Sequence, residues 1–277
     1  MQWRGRRESG NIEDRRRGGM GRSAGVGGIG MVIVLLVGIF FGVDLSPLLG
    51  PGGVPTTDSA PTGPNVVEDD QERFVAVVLA QTEDVWAPRF QAAGMQYSQP
   101  KLVLFSGQTS SACGFAQSAM GPFYCPNDQT VFLDMDFFRV MEEQLGSQGE
   151  FAKAYVVAHE VGHHVQDEQG ILEQTNAMRA RSGERQANEI SVRVELQADC
   201  YAGVWAHDSQ QAFELTDADI RSALDTAARI GDDALQQASQ GRVVPDSFTH
   251  GTSQQRQEWF YRGYSTGDDA QCETGVR

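Results

Sequence analysis

Apolar residues recur at helical spacing in several stretches of the chain from about residue 70 onward. Residues three or four positions apart lie on the same face of an α-helix, so this pattern predicts helices that each bury one face. The predicted helices run from about Glu68 to Ala93, Asp136 to Leu145, Tyr155 to Gln166, Asn188 to His207, Thr216 to Ala238 and Ser253 to Gly263. The polar stretch Gln169–Gln186 predicts a helix start followed by a loop.

Short apolar runs bounded by turn residues predict strands near the start of this region. Lys101–Phe105 is one such run, and Phe123–Tyr124 and Thr130–Leu133 flank the turn sequence Pro126-Asn127-Asp128. Two short runs around such a turn predict a β-hairpin. The predicted fold class is therefore mainly α with a small β-sheet or hairpin (α+β).

The N-terminal part of the chain has a different pattern. Residues 1–25 are rich in Arg and Gly without apolar periodicity, which predicts a disordered basic tail. Val26–Val43 then contains 18 residues without a charge, close to the lower limit for crossing a bilayer. We expect a single transmembrane anchor over residues 26–45. A cleaved signal peptide and a buried soluble helix are the alternatives.

Residues 46–65 are rich in Pro, Gly, Ser and Thr, a composition typical of an extended linker. Residues 66–277 are the predicted globular domain. Arginines before the apolar run and acidic residues after it predict a cytoplasmic N-terminus and an extracytoplasmic domain in a single-pass cell membrane protein.

The charge balance argues against nucleic acid as a partner. The formal net charge is −15, although the first 30 residues contain seven arginines and only three acidic residues. The remainder of the chain is therefore strongly acidic, whereas binding to phosphates requires a basic surface.

The predicted helix Tyr155–Gln166 contains the sequence His159-Glu160-Val161-Gly162-His163. Its two histidines are four residues apart, so both imidazoles point from the same face and can bind one Zn²⁺ ion. Glu160 lies about 100° around the helix, where it can reach a water beside the metal without ligating it. This arrangement predicts two zinc ligands and a general base.

A third zinc ligand has to come from another element of the fold. Glu195 and Asp199 lie four residues apart on the next long predicted helix. We expect Glu195 to ligate the ion and Asp199 to accept a hydrogen bond from the outer nitrogen of a ligand histidine. The alternative is that both are solvated acids on an exposed face.

These motifs resemble those of the glutamate-zincin metallopeptidases and, more narrowly, of the bacterial putative neutral zinc metallopeptidase family. The resemblance covers roughly Val66–Gly267. It is carried by Cys113-Gly114, Gly121–Pro126, Leu133-Asp134, Ala158–Gln166, Glu195–Cys200 and His250-Gly251-x-x-x-Gln255-Arg256. It implies a zincin-like hydrolase domain behind a single N-terminal transmembrane helix, with a protein or peptide as substrate.

The resemblance also places the region of His250 near the site. We expect His250 to donate a hydrogen bond to the oxyanion formed during hydrolysis, with Arg256 as a second candidate. His250 could instead cap the helix that begins near Ser253. His164 points about 100° away from His163 and is expected to be a packed or surface residue.

The four cysteines all follow the apolar run, which is typical of an oxidising compartment. We expect the disulfides Cys113–Cys125 and Cys200–Cys272. The predicted function is that of a membrane-anchored zinc endopeptidase. The alternatives are a zinc-stabilised module that binds an envelope partner without hydrolysing it and an adaptor that is simply a stable helical domain.

Overall fold

The computed structural model describes residues 1–16, 69–117 and 121–276. The α-helices in these residues are α1 (Asp70–Ala92), α2 (Met135–Glu143), α3 (Glu150–Glu168), α4 (Ile171–Arg179), α5 (Glu184–Asp208), α6 (Gln210–Phe213), α7 (Asp217–Arg229), α8 (Asp232–Gln240) and α9 (Ser253–Thr266). The strands are β1 (Ile12–Asp14), β2 (Lys101–Phe105), β3 (Gln108–Ser111), β4 (Gly114–Gln117), β5 (Phe123–Cys125) and β6 (Thr130–Asp134). Short 3-10 helices cover Pro245–Ser247 and Asp269–Cys272. The fold is mainly helical with a small sheet, so the predicted α+β class is confirmed.

The main sheet has the strand order β1-β2-β6-β5. Strand β2 pairs in parallel with both β1 and β6, whereas β5 and β6 form an antiparallel pair with Phe123 opposite Phe132. The predicted hairpin around Pro126-Asn127-Asp128 is therefore confirmed. Strand β5 lies at one edge of the sheet, and β3 and β4 form a separate hairpin.

Helix α3 lies in the centre of the fold, and most of its side chains are buried. It packs against α1, α5, α7 and the β5–β6 hairpin. A helix at the surface buries only one apolar stripe, whereas a central helix is apolar on most of its faces. The run Ala154–Ala158 has this character, with no side chain more than 5% exposed. The two histidines that follow this run are thus placed in the interior.

Three helices approach one another closely at glycines. A Cβ atom on Gly162 of α3 would lie 3.0 Å from the carbonyl oxygen of Ala198 on α5. At the α5–α9 contact, a Cβ on Gly203 or Gly263 would overlap the backbone of the opposite helix. These glycines allow α5 to pack between α3 and α9, which brings residues of all three helices to one place.

The predicted helix Thr216–Ala238 is wrong at one point, because the structure divides it into α7 and α8. Helix α7 ends at Arg229, and α8 begins at Asp232. A Cβ on Gly231 would overlap the backbone of Ser253, so the start of α9 occupies the space beside this glycine. The break gives α8 an N-terminus of its own next to the loop that precedes α9.

The prediction that residues 1–25 are disordered is wrong for residues 1–16. Trp3 is 2% exposed, and its ring packs edge-on against Phe74 at a centroid distance of 5.5 Å. Ile12 begins β1, which pairs with β2. The arginine-rich composition was misleading because these charges are paired: Arg16, for example, forms ion pairs with Asp14, Asp69 and Glu72. Residues 17–25 lie outside the described residues.

The predicted membrane topology is also wrong. Among the residues that the structure describes, no helix is both long and apolar enough to cross a membrane. Strand β1 belongs to the same sheet as β2 and β6. The N-terminal segment and the globular domain therefore cannot lie on opposite sides of a bilayer, as the single-pass localisation requires. The predicted anchor (residues 26–45) and linker (residues 46–65) fall outside the described residues.

Both expected disulfides are confirmed. Cys113 and Cys125 connect the β3–β4 hairpin to β5, with their Cα atoms 5.8 Å apart. Cys200 on α5 is joined to Cys272 near the C-terminus, with a Cα separation of 5.5 Å. Because the second bond spans 72 residues, it holds the C-terminal 3-10 helix against the helix that contains Glu195.

Candidate metal centre

Helix α3 presents His159 and His163 toward a common point. Their ring centroids are 4.9 Å apart, as expected for two imidazoles one helical turn apart on one face. Glu195 of α5 faces both rings. Its Oε2 atom lies 3.1 Å from His159 Nε2, and its Oε1 atom lies 3.5 Å from His163 Nε2. Helical spacing and one contact between two helices thus bring the three predicted zinc ligands together.

The three side chains fit a divalent metal ion. One potential ligand atom from each of His159, His163 and Glu195 lies within 4.8 Å of the other two. Two imidazole nitrogens and one carboxylate oxygen are a donor set that Zn²⁺ prefers in catalytic sites. The close approach at Gly162 and Ala198 lies beside these residues and sets the distance between the two helices.

The outer nitrogen of each ligand histidine is held by a partner. His159 Nδ1 lies 2.8 Å from Asp199 Oδ1, as the sequence predicts. His163 Nδ1 lies 2.9 Å from Gln166 Oε1, an interaction that sequence reasoning missed. The amide group of Gln166 itself donates to the Val194 carbonyl at 2.8 Å. These partners favour Nδ1–H on both rings, so that each Nε2 atom is available to a metal.

A buried network surrounds Asp199. The guanidinium group of Arg256 donates from Nε to Asp199 Oδ2 at 2.8 Å and from Nη2 to Oδ1 at 3.0 Å. The hydroxyl group of Tyr155 donates to Oδ1 at 2.5 Å. Burial raises the pKa of Asp199, but Arg256 and His159 lower it more, to about 2. Asp199 is therefore a fixed anion behind the histidine.

This network corrects the expectation that Arg256 could donate a hydrogen bond to an oxyanion. Arg256 is 3% exposed, and its remaining donor, Nη1, bonds to the Ile230 carbonyl at 3.2 Å. Its donors are directed to Asp199, Tyr155 and Ile230. Neither Arg256 nor Tyr155 stood out as a partner of Asp199 in the sequence, because these residues are far apart along the chain.

The charges of the ligand side chains are strongly coupled. Burial lowers the pKa of His159, but Asp199 and Glu195 outweigh burial and raise it to about 10. The pKa of His163 is likewise raised, because the effect of Glu195 exceeds that of burial. Burial raises the pKa of Glu195, but the two ligand histidines and His250 hold it well below its usual range. The metal-free centre thus binds protons where the ligands would hold a cation.

Glu160 differs from the other acidic residues of the centre. It is 7% exposed, and its carboxylate accepts no hydrogen bond from the part of the chain that the structure describes. Burial raises the pKa of Glu160, and the nearby histidines only partly offset this effect. A carboxylate that is desolvated and not held by donors is suited to accept and release a proton.

His250 lies in the loop before α9, with its side chain 28% exposed. The charge of His250 is among those that lower the pKa of Glu195, which places it beside the ligand carboxylate. Its Nδ1 atom lies 2.9 Å from Thr249 Oγ1 and 3.4 Å from Asp232 Oδ1. The helix cap considered for His250 is instead made by Thr252, whose hydroxyl accepts from Gln255 N.

The other predicted histidine is structural. His164 is fully buried, and its Nε2 atom donates to the Ser98 carbonyl at 2.6 Å. Its Nδ1 atom lies 3.1 Å from the hydroxyl of Tyr124, which donates to Asp167 at 2.8 Å. His164 therefore connects α3 to the β5 edge and is absent from the group that could hold a metal.

Comparisons with known proteins agree with this geometry. The sequence model of the family described as "Putative neutral zinc metallopeptidase" matches residues 1–275. The chain is 50% identical over 286 residues to the uncharacterized protein YpfJ of Escherichia coli (strain K12), covering 99% of this chain and 98% of that protein. It is 42% identical over 255 residues to the uncharacterized protein Rv2575 of Mycobacterium tuberculosis (strain H37Rv), covering 85% and 84% of the two chains. No solved structure matches the chain significantly.

Proposed function

The chain belongs to the putative neutral zinc metallopeptidase family, and on this premise we propose that it hydrolyses peptide bonds in protein or peptide substrates. One observation carries the proposal: His159, His163 and Glu195 converge within 4.8 Å. Glu160, one residue after the first histidine, provides the fourth functional group. This combination of three ligands and a carboxylate matches the composition of a hydrolytic zinc site.

The residues present fit a zinc ion in their outer contacts as well as in their donor atoms. Each ligand histidine has an oxygen acceptor on Nδ1, from Asp199 and from Gln166. Such partners hold the imidazole in the tautomer and orientation that a metal requires. When bound, zinc supplies Lewis acidity, which polarises a carbonyl group and makes water a stronger nucleophile at neutral pH.

Glu160 is the proposed general base and acid. Its carboxylate takes a proton from the attacking water and later delivers that proton to the leaving amine. A pKa raised by burial favours this exchange, because a carboxyl group with a pKa nearer neutrality accepts a proton more readily. The absence of a hydrogen bond to Glu160 within the described residues leaves its oxygens available to water.

His250 is the proposed donor to the oxyanion that forms from the scissile carbonyl. Two oxygens, from Thr249 and Asp232, lie near its Nδ1 atom. A ring with both nitrogens protonated can therefore direct Nδ1–H to these oxygens and keep Nε2–H for the substrate. Such donors stabilise the transition state because the negative charge grows on that oxygen during the reaction.

Strand β5 is the proposed binding edge for an extended substrate. It pairs with β6 on one side only and lies against α3, the helix that contains the metal ligands. A peptide can add to such an edge as a further strand, with main-chain hydrogen bonds that do not depend on its sequence. Packing of Tyr124 against α3 explains that residue without a substrate, so a role for the edge is a proposal.

The principal alternative is a zinc-stabilised binding module without catalysis. Zinc would bind equally well in such a module, but Glu160 would have no role in it. A second alternative, an adaptor that is only a stable helical domain, predicts no zinc at all. Zinc content and cleavage, measured together, therefore separate the three functions.

The experiment compares the wild-type chain with Glu160→Gln and with Glu173→Gln, an exposed residue of α4. Zinc content is measured by mass spectrometry, and cleavage is followed on a peptide library. We expect one zinc ion per chain in all three proteins. Cleavage should fall by about 10²–10⁴-fold in Glu160→Gln, the typical contribution of a general base, and remain unchanged in Glu173→Gln.

Two results would contradict the proposal. Cleavage that survives in Glu160→Gln would remove this residue from the mechanism. A fully zinc-loaded wild-type protein that cleaves no peptide in the library would favour the binding module instead.

A further inference from the structure

Asp232, the first residue of α8, is bound to the loop that carries His250. Its Oδ2 atom accepts hydrogen bonds from three successive backbone N–H groups, those of Thr249 at 2.8 Å, His250 at 2.7 Å and Gly251 at 3.1 Å. Its own N–H group donates to the Gly251 carbonyl at 2.9 Å. Asp232 is only 4% exposed. A buried carboxylate with this many donors is a strongly fixed acceptor.

The second carboxylate oxygen of Asp232 faces the imidazole itself. Asp232 Oδ1 lies 3.4 Å from His250 Nδ1, and Thr249 Oγ1 lies 2.9 Å from the same nitrogen. Asp232 thus contacts both the backbone and the side chain of this part of the loop. Its position in the first turn of α8 also favours a negative charge, because the helix dipole is positive at that end.

The opposite side of the loop rests on α5. Gly251 has a φ of +93°, and a Cβ atom there would lie 3.3 Å from the side chains of both Val192 and Leu196. Leu196 is the neighbour of the ligand Glu195. The loop is therefore held between α8 on one side and the ligand-bearing helix on the other, with His250 between them.

From these contacts we propose that Asp232 is a positioning residue that holds His250 at the edge of the metal centre. The proposal rests on the function proposed above, in which His250 donates to the oxyanion. Asp232 touches neither the ligands nor the substrate and acts only through the loop and the imidazole. The neighbouring Asp233 differs, because it binds Ser253, after the histidine, through Oδ1 at 2.7 Å.

The test compares Asp232→Asn with Asp233→Asn in the zinc-loaded full chain. Both changes replace an acidic residue in the first turn of α8 that binds the same loop, so Asp233→Asn controls for loss of charge and for loop bracing. The first measurement, independent of activity, is the NMR spectrum of the ¹⁵N-labelled histidine rings. We expect the ring signals of His250 to shift in Asp232→Asn and to stay in place in Asp233→Asn.

The second measurement is steady-state cleavage. We expect kcat to fall by about 10–100-fold in Asp232→Asn, the usual range for a residue that orients a functional histidine, while KM changes less than about twofold. His250→Ala should lose at least as much. The double variant Asp232→Asn/His250→Ala should be no slower than His250→Ala alone, because Asp232 acts through the histidine.

The proposal fails if Asp232→Asn leaves the His250 ring signals where Asp233→Asn leaves them, or if its loss of kcat adds fully to that of His250→Ala. Should Asp232→Asn not fold, Asp232→Ser keeps an acceptor for the loop amides without a charge beside the ring and is judged by the same outcomes. The ring signals also separate the two proposals: they can shift as expected even if Glu160→Gln continues to cleave peptides.

Discussion

The two sides of the metal centre are built in opposite ways. The back wall, formed by Asp199, Tyr155 and Arg256, is at most 3% exposed, and its members bond to one another. The rim, formed by Glu160 and His250, contains a carboxylate without a hydrogen-bond donor among the described residues and a histidine that is 28% exposed. The back wall orients a ligand, whereas the rim is arranged to exchange protons and hydrogen bonds.

The two carboxylates show the consequence most clearly. The pKa of Asp199 is lowered to about 2, because Arg256 and His159 outweigh burial. The pKa of Glu160 is raised, because burial outweighs the nearby histidines. One type of ionisable group is thus fixed as an anion at the back and kept ready to accept a proton at the front.

The largest expected effect on stability is at the back wall. Arg256→Met removes the cation that compensates buried Asp199, and breaking one side of such a pair typically costs about 3–5 kcal/mol. The free energy of unfolding of the metal-free protein, measured in denaturant, should fall by this amount. Arg262→Met, an exposed change on the same helix, should lower it by less than about 1 kcal/mol, since only a contact with Trp259 is lost. Equal effects of the two variants would show that the back wall does not contribute in this way.

The opposite pKa shifts predict opposite pH dependences. Asp199 has a lowered pKa in the folded state, so its contribution is present above its ordinary pKa near 3.8 and is lost as the pH falls toward about 2. With about 1.4 kcal/mol per pKa unit, this contribution amounts to about 2 kcal/mol. Glu160 has a raised pKa, so its ionisation destabilises the folded protein as the pH rises through that value.

Glu160→Gln should therefore stabilise the metal-free protein at pH 7, with a gain that disappears as the pH falls below the ordinary range of a glutamate. Thermal unfolding of this variant and the wild type at several pH values provides the measurement. A lower unfolding temperature for Glu160→Gln at pH 7 would contradict the difference between rim and back wall.

A smaller effect is expected where the two ligand helices touch. Gly162→Ala places a methyl group 3.0 Å from the Ala198 carbonyl. Overpacking costs about 1–3 kcal/mol, and the higher helix propensity of Ala returns about 1 kcal/mol, so we expect a net loss of about 1 kcal/mol together with weaker zinc binding. Gly183→Ala has no atom within 4 Å of the new methyl group and serves as the control. Unchanged zinc affinity in Gly162→Ala would mean that the helix separation does not control the site.

The parts of the site that sequence reasoning predicts are those set by spacing within a helix. His159 and His163 lie one turn apart, as do Glu195 and Asp199, and helical geometry alone places each pair on one face. Because α3 and α5 are long and apolar on the faces that meet, the two pairs could also be expected to face each other. The disulfides are likewise found as expected.

The parts that sequence reasoning misses depend on contacts between distant segments. Arg256 could not be connected with Asp199 from spacing, and the role of Asp232 was hidden because α7 and α8 were predicted as one helix. The N-terminal segment was misread for a similar reason. Its arginines looked solvated by composition, whereas Arg16 pairs with acidic residues more than fifty positions away.

The central claim is that two packed helices direct three side chains to one zinc ion. Its most direct test is a crystal structure of the zinc-loaded chain with anomalous scattering recorded at the zinc absorption edge. The account predicts one strong peak within about 2.0–2.2 Å of His159 Nε2, His163 Nε2 and a carboxylate oxygen of Glu195. A peak elsewhere, or a Glu195 side chain turned away from the two imidazoles, would contradict it.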